Sequence, residues 1–191
     1  MGGFFVACNQ LSASERPTQM DSGVKTVKDL TPQVLAAIRA LANTRVMVGI
    51  PAENAFRAPE PGETATPPNN AEIGYINEFG EPASHIPPRP FLVPAMVEMQ
   101  PELIRRLHKI ADAAVAGRTE GVTKGFMALG MRCASAVQKK ITDGPFAPLA
   151  PYTIWKRQTR KPPRMGTKPL IDMGHLRRSI TFAIRKIRSA G

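Results

Sequence analysis

The hydrophobic residues of this chain recur with two spacings, one typical of helices and the other typical of strands. Helical spacing begins at Thr31-Pro32, because proline suits the first turn of a helix, and it lasts for about three turns. It returns in NNAEIGYINEFG (69–80), where an asparagine can cap the first turn and Gly80 can end the helix in a left-handed conformation. Both stretches are predicted to be helices.

Two longer amphipathic helices are predicted in the middle of the chain, between about 98 and 142, with Gly117 between them. The apolar stripe of the first comprises Leu103, Ile104, Leu107, Ile110, Ala111, Ala114 and Val115. The apolar stripe of the second comprises Val122, Phe126, Leu129, Cys133, Val137 and Ile141. Each stripe needs a partner to cover it, so we expect the two helices to pair over a small sheet.

Strand patterns lie on both sides of this helical middle. VMVGI (46–50) is β-branched and ends before Pro51. RSITFAIRK (178–186) alternates, so that Ile180 and Phe182 point to one face and their neighbours to the other. We expect both strands in one small antiparallel sheet backed by the two longer helices, which is an α+β fold.

Proline divides the elements with long loops. The chain has 19 prolines, about twice the usual share. We expect extended backbone at 51–70 and in HIPPRPFLVP (85–94), and a proline-spaced loop that starts at Phe146. The predicted organisation is an extended N-terminal arm at 1–30 and a single domain at 31–191, with a 51–70 loop insertion and a basic C-terminal region.

Charge is divided unevenly along the chain, whose net charge is +11. Residues 156–191 have eleven Lys and Arg against Asp172 alone, which gives 11 − 1 = +10. Residues 51–81 have six Glu against Arg57 alone, which gives 1 − 6 = −5. Clustered cations bind phosphates without reading bases, so a sequence-independent DNA-binding protein is one interpretation. A solvated or subunit-facing basic surface is the other.

Catalytic and metal-binding motifs are not found in the sequence. Cys8 and Cys133 have neither the spacing of a zinc site nor the partners of a disulfide framework, and no HExxH or GxSxG motif occurs. Cys133 falls on an apolar helix face, so core packing is the first interpretation and a Cys–His hydrolase is a weaker alternative. We expect no enzyme activity, no cofactor and no metal.

No stretch of the chain approaches the ~20 apolar residues of a membrane span. Gly121, Gly125 and Gly130 are spread along a helical stripe rather than gathered into a phosphate-binding loop before one. We therefore expect a soluble protein that is assembled inside a cell and has neither a nucleotide site nor a membrane partner.

The stretch KPLIDMGHLRRSI (168–180) is interpreted as a structural clip rather than as the edge of an active site. Asp172 precedes a short helical turn, where its carboxylate can accept hydrogen bonds from the free N–H groups that follow. Gly174 removes side-chain bulk, and Leu176 is expected to point back to the core. His175 is not spaced as a catalytic partner of the aspartate on a helix face.

Three stretches occur in a fixed order along the chain. They are NEFG (77–80), IPPRPFL (86–92), and FAPLAPYTI (146–154) leading to KPLIDMGHLRRSI (168–180). Together they resemble the small neck and tail-completion proteins of tailed bacteriophages, including the virion-morphogenesis proteins of Mu-like phages. The resemblance runs from about Val46 to Ile184, and it implies an α+β fold, no catalysis, and a place in a ring between the capsid portal and the tail.

The resemblance implies a virion protein at the head–tail junction that is assembled in the host cytoplasm. Its partners would be further copies of itself in a ring of about six or twelve, the portal or head–tail connector, and tail proteins. Genomic DNA passing through the channel would make non-specific contacts. We expect part of the acidic 51–81 region to lie against basic residues of a neighbour. The expected subunit-interface residues are Phe91, Phe146, Trp155, Arg157, Arg160, Lys161 and Arg164.

Overall fold

The computed structural model describes residues 30–59 and 67–187, so the predicted N-terminal arm lies outside the described residues except for Leu30. Its elements are α1 (Thr31–Ala42), β1 (Thr44–Gly49), α2 (Ala52–Ala55), α3 (Asn70–Phe79), α4 (Leu92–Val115), α5 (Thr119–Asp143), α6 (Pro151–Thr159), α7 (His175–Ser179) and β2 (Thr181–Lys186). A single 3₁₀ turn at Pro82–Ser84 follows α3. This is the α+β fold that the sequence predicts.

The two strands form one antiparallel sheet, as predicted, although each boundary differs slightly from the expected one. Val46 is opposite Ile184 and Val48 is opposite Phe182. β2 begins only at Thr181, because Ser179 still belongs to α7, where its hydroxyl donates to the carbonyl oxygen of Leu176. The sheet packs against the two longest helices, α4 and α5.

The core is organised around α5, which contributes to both hydrophobic clusters of the described residues. One cluster comprises Phe91, Ala95, Ala134, Val137, Ile141, Leu176 and Ile180. The other comprises Ile110, Phe126, Leu129 and Cys133. Five of the six residues in the predicted stripe of this helix are therefore buried, and Val122 is half-buried beside them. The prediction of the α5 face is confirmed.

Two glycines on α5 allow its neighbours to approach closely. A β-carbon at position 125 would lie 2.6 Å from Cγ1 of Ile110 on α4. A β-carbon at position 130 would overlap the aromatic ring of Phe182 on β2. Gly125 and Gly130 therefore allow α5 to pack closely against α4 and the sheet. Their spacing along the helix also argues against a phosphate-binding loop.

The predicted stripe of α4 is partly wrong, since it mixes residues from two faces of the helix. Ile110 and Ala114 are buried, but Ile104, Leu107 and Val115 are exposed. α4 begins at Leu92, earlier than predicted, and its buried face also includes Ala95 and Ala113. Apolar residues on the outer side repeat at helical spacing and are each about half exposed. This outer stripe comprises Val93, Val97, Ile104, Leu107 and Val115.

Three stretches that are predicted to be loops contain helices. α2 lies in the predicted 51–70 loop, and the expected extended run at 85–94 ends where α4 begins. The stretch that leads to Trp155 is the helix α6, with Pro151 in its first turn. Proline is tolerated there because the first N–H groups of a helix have no partner within the helix.

α3 forms as the sequence predicts. The side chain of Asn69 accepts a hydrogen bond from the backbone N–H of Glu72, and the Glu72 carboxylate accepts one from the backbone N–H of Asn69, which is a complete capping box. Gly80 ends the helix with φ of 80°. Both ends of α3 are thus fixed by neighbouring residues in the sequence.

Candidate anion-binding cavity

A cavity of about 340 Å³ lies between α3, α6 and the segment before α7. Its charged lining residues are Arg57, Arg89, Lys156, Arg157, Arg160 and Asp172. We call it the arginine cavity. Five of these side chains are basic and one is acidic, so the lining carries a net positive charge.

Asp172 is the centre of a cluster of three arginines at one side of the arginine cavity. Its Oδ2 lies 2.7 Å from Nη1 of Arg164 and 3.4 Å from Nη1 of Arg160. Its Oδ1 lies 3.7 Å from Nε of Arg157. One carboxylate therefore faces three guanidinium groups, and it neutralises only part of their charge.

Arg157 organises the segment that precedes α7. Its Nη1 group lies 3.1 Å from each of the carbonyl oxygens of Gly166, Lys168 and Ile171. The pKa of Arg157 is lowered from its ordinary value, because the effect of burial is larger than the opposing effect of Asp172. The side chain thus fixes a loop of its own chain, which leaves few donors for a neighbouring subunit.

Arg89 comes from the proline-rich stretch before α4 and is only 7% exposed. Its Nε donates to the carbonyl oxygen of Ala147 (2.8 Å) and its Nη2 to that of Pro148 (2.9 Å). Among the described residues, no carboxylate pairs with it. Burial lowers the pKa of Arg89, and repulsion from Arg157 lowers it further. This guanidinium is therefore a buried cation, and these two hydrogen bonds use only some of its five N–H donors.

Asn70 adds an unsatisfied acceptor to the lining of the arginine cavity. The residue is 4% exposed, and its Nδ2 lies 3.5 Å from the carbonyl oxygen of Asn54. Its Oδ1 has no hydrogen-bond partner. A buried polar atom without a partner is unfavourable, and Oδ1 has less than 1 Å² of accessible area, so it is closed off from the cavity in this structure.

Glu78 connects the wall of the cavity to the start of α4. Its buried carboxylate accepts hydrogen bonds from the backbone N–H groups of Phe91 (2.8 Å), Leu92 (2.9 Å) and Val93 (2.9 Å). These donors have no partner within α4, and a negative charge is favourable at a helix N-terminus. The backbone N–H of Arg89 also donates to the carbonyl oxygen of Asn77 at 2.6 Å. NEFG and IPPRPFL therefore form one framework.

The predicted subunit-interface residues are not all on the surface. Phe91 is 2% exposed and belongs to the main core, so the prediction that it is a surface anchor is wrong. Phe146 is half-buried against the same core. Trp155 is 57% exposed and lies beside Tyr152, with 5.8 Å between the ring centres. Of the three aromatic residues, Trp155 is the most accessible.

The four predicted basic interface residues also differ in their surroundings. Arg157, Arg160 and Arg164 all pair with Asp172 of their own chain. The expected contact of these residues with part of the acidic 51–81 region of a neighbour stays a prediction. Lys161 is exposed, and no interaction of its side chain occurs among the described residues.

The structural clip is present, but one of its contacts differs from the prediction. Leu176 is buried in the core next to Phe91, as expected. α7 is capped by Gly174, which has φ of 75°, and no side chain caps this helix. The expectation that Asp172 accepts the N–H groups of the helical turn is therefore wrong, because the three arginines bind its carboxylate instead.

The described residues include neither an activated thiol at Cys133 nor a cluster of metal ligands. Cys133 is buried, and burial raises the pKa of its thiol, which disfavours the nucleophilic thiolate. Within residues 30–59 and 67–187, no group of three or more His, Cys, Asp or Glu could hold a metal ion. In the same part of the chain, no helix is long and apolar enough to cross a membrane.

Sequence reasoning missed the roles of Arg89, Asn70 and Glu78. Arg89 and Glu78 lie in the stretches that carry the resemblance, but their hydrogen-bond partners are far away in the sequence. A signal was present at Arg89, because a single charged residue between prolines and apolar residues needs acceptors if it is buried.

Comparison of the chain with family models, curated proteins and solved structures finds no match.

Proposed function

We propose that this protein is a structural virion protein of a tailed bacteriophage, forming a homo-oligomeric ring at the head–tail junction. The ring would join the portal or connector to the tail and let DNA pass. The observation that carries this proposal is that the stretches of resemblance fit together as one framework. Glu78 of NEFG caps the helix after IPPRPFL, and Arg89 of IPPRPFL binds the carbonyl oxygens of FAPLAP.

The outer stripe of α4 supports self-association. Its five apolar side chains are about half exposed and lie along one face of a helix of 24 residues. A continuous apolar face of this kind is typical of an interaction surface, because its exposure to water is unfavourable. A ring contact joins two different faces of neighbouring subunits, so the stripe would meet another surface of the next copy.

The test is the mass and symmetry of the particles that the purified full chain forms. Native mass spectrometry and electron microscopy should find a closed ring, and the double variant Val97→Glu, Ile104→Glu should shift it to single copies. Met165→Glu is the control, because Met165 is exposed in a loop outside the stripe. Single copies at every concentration of the wild-type chain would contradict the proposal, and rings in the double variant would contradict the role of the outer stripe of α4.

A sequence-independent DNA-binding protein that acts alone is the second candidate. Arg177, Arg178, Arg185 and Lys186 are exposed near the end of the described residues, which favours contact with phosphates. Single copies that bind DNA with a log–log salt slope of several units would favour this candidate. A ring whose assembly is independent of DNA would favour the virion protein.

A further inference from the structure

The face of the β1–β2 sheet that points away from the core carries two arginines directly opposite each other. Val46 and Val48 pack against the core, so the alternating positions of both strands point outward. We call this set the outer ribbon face, and its opposing pairs are Arg45 and Arg185, Met47 and Ala183, and Gly49 and Thr181.

The arginine pair is unfavourable for the sheet itself. Arg45 and Arg185 are both exposed, and neither side chain makes a hydrogen bond or an ion pair within the described part of the chain. Like charges directly opposite each other in an antiparallel pair are destabilising. An anion that lies between the two guanidinium groups would remove this repulsion.

The outer ribbon face is open to a partner. A β-carbon at position 49 would have no atom within 4 Å, and Met47 is 42% exposed. Neither edge of the sheet pairs with a third strand among the described residues. The helices α4 and α5 pack on the other face of the sheet. The two strands therefore form a ribbon whose outer face can be approached directly.

We propose that the outer ribbon face binds double-stranded DNA, with Arg45 and Arg185 on its phosphates. The major groove of B-form DNA is about 12 Å wide and admits a two-stranded β-ribbon. Gly49 and Ala183 have small side chains, which lets the duplex come close to the backbone of the ribbon. Arginine contacts with phosphates release counterions and do not depend on the base sequence.

Other partners fit this face less well. A single strand is bound by stacking its bases on aromatic side chains, and the outer ribbon face has none. The major groove of duplex RNA is too deep and narrow for side chains to enter. A protein partner needs a core of large apolar or aromatic residues, and Met47 is the single large apolar residue of this face.

The proposal rests on the proposed function only for the source of the DNA, which would be the genome as it passes through the ring. Duplex binding and ring formation can be measured separately on the full chain, by fluorescence anisotropy and by native mass spectrometry. A ring whose outer ribbon face does not bind DNA would overturn this proposal alone. Duplex binding by a chain that never forms a ring would contradict the proposed function alone.

The first test is the affinity for a short labelled DNA duplex over a series of salt concentrations. The double variant Arg45→Gln, Arg185→Gln should bind at least about tenfold more weakly than the wild type. Its log–log salt slope should be smaller by about two, because two phosphate contacts are lost.

The matched control is the double variant Lys109→Gln, Lys139→Gln. It removes the same number of charges from exposed positions on α4 and α5, where neither lysine side chain makes an ion pair with a described residue. Its affinity should change by less than about threefold, since salt screens distant charges. Equal losses in the two double variants would overturn the proposal, and so would no duplex binding by the wild type.

Arg45→Glu separates DNA binding from a structural role of the arginine pair. It replaces two like charges by an opposite-charge pair across the strands, so the melting temperature should not fall. The affinity for the duplex should nevertheless fall at least as far as in the double variant of the arginines, because a carboxylate repels phosphates. An unchanged affinity of this variant would overturn the proposal.

Three competitors test the choice of double-stranded DNA, each added at the same concentration of negative charge. They are a DNA single strand, an RNA duplex and poly-glutamate. Each should displace the labelled duplex at least about threefold less effectively than unlabelled duplex DNA does. Poly-glutamate as effective as duplex DNA would assign the face to an acidic protein and overturn the proposal. A single strand or an RNA duplex of equal effect would overturn it as well.

Discussion

At the scale of single residues, Glu78 lies on α3 but caps another helix, because its carboxylate accepts hydrogen bonds from the N–H groups at the start of α4. Glu78→Ala would leave the N–H groups of Phe91, Leu92 and Val93 without an acceptor in a buried position. We expect the free energy of unfolding to fall by about 2–3 kcal/mol, as for hydrogen bonds to a charged group. Urea denaturation followed by circular dichroism measures this change.

Glu53→Ala is the matched control for Glu78→Ala. Glu53 is exposed, and its side chain makes no hydrogen bond or ion pair within the described part of the chain. Its replacement should change the free energy of unfolding by less than about 0.5 kcal/mol. Similar losses in the two variants would contradict the capping role of Glu78.

The candidate site shows which residue roles the sequence can predict. The cap of α3 was predictable, because Asn69 and Glu72 are three residues apart and bond each other locally. The acceptors of Arg89 were not, because they lie 58 and 59 residues further along the chain. Phe91 is expected on the surface because proline-rich segments usually lie there. In the structure α4 begins at the next residue, and the side chain of Phe91 is buried in the core.

At the scale of elements, the contact between α5 and β2 depends on the absence of a side chain at Gly130. Gly130→Ala would place a methyl group against the ring of Phe182, which would have to move away from the helix. Alanine favours the helix by up to about 1 kcal/mol. Overpacking costs about 1–3 kcal/mol, so we expect the melting temperature to fall.

Gly166→Ala is the control for this substitution. A β-carbon at position 166 has no atom within 4 Å, and φ there is not in the left-handed region. Its melting temperature, measured by differential scanning calorimetry, should stay close to that of the wild type. A Gly130→Ala variant as stable as Gly166→Ala would show that β2 adapts without cost.

Glu102 joins α4 and α5 through ion pairs that depend on pH. Its Oε1 lies 2.7 Å from Nη2 of Arg106 and 3.2 Å from Nε of Arg132. Hydrogen bonds from these two arginines lower the pKa of Glu102 below its ordinary value of 4.5. A lowered pKa in the folded state means that the pairs stabilise the fold above pH 4.5 and lose this effect as the pH falls below it.

Acid denaturation of Glu102→Gln tests this dependence. Glutamine does not titrate, so the variant should be less stable than the wild type at neutral pH, and the difference should shrink as the pH falls below 4.5. Glu120→Gln is the control, because Glu120 forms an ion pair within α5 alone. A difference between Glu102→Gln and the wild type that is constant with pH would contradict the assignment.

The elements themselves were largely predictable, and the errors in where helices lie have one cause. Strong helical and alternating periods located α1, α3, α5 and both strands. The errors at α6 and at the start of α4 came from reading proline as a loop signal. Pro94 and Pro151 lie in first turns, where a missing N–H group costs nothing.

At the scale of the whole molecule, Asp172 neutralises part of the positive charge of residues 156–191. Asp172→Asn would leave Arg157, Arg160 and Arg164 close together without this carboxylate. We expect the free energy of unfolding to fall by about 1–2 kcal/mol, since the cluster is partly buried. Added salt should restore part of the loss, because it screens the repulsion.

Asp112→Asn is the comparison for Asp172→Asn. Asp112 is exposed on α4, and its side chain forms no ion pair within residues 30–59 and 67–187. Its replacement should have an effect below about 0.5 kcal/mol at low and at high salt. Urea titrations at two salt concentrations measure both variants, and the same salt response in both would contradict the role of Asp172.

The pairing of β1 with β2 also sets the order in which the protein can be completed during synthesis. β1 leaves the ribosome early, but its hydrogen-bonding partner is made after every other described element. Until then the edges of β1 are open, and the place beside Gly130 that Phe182 fills is empty. A chain that stops before Thr181 therefore has an unpaired strand and an incomplete core, which directs it to aggregation or proteolysis rather than assembly.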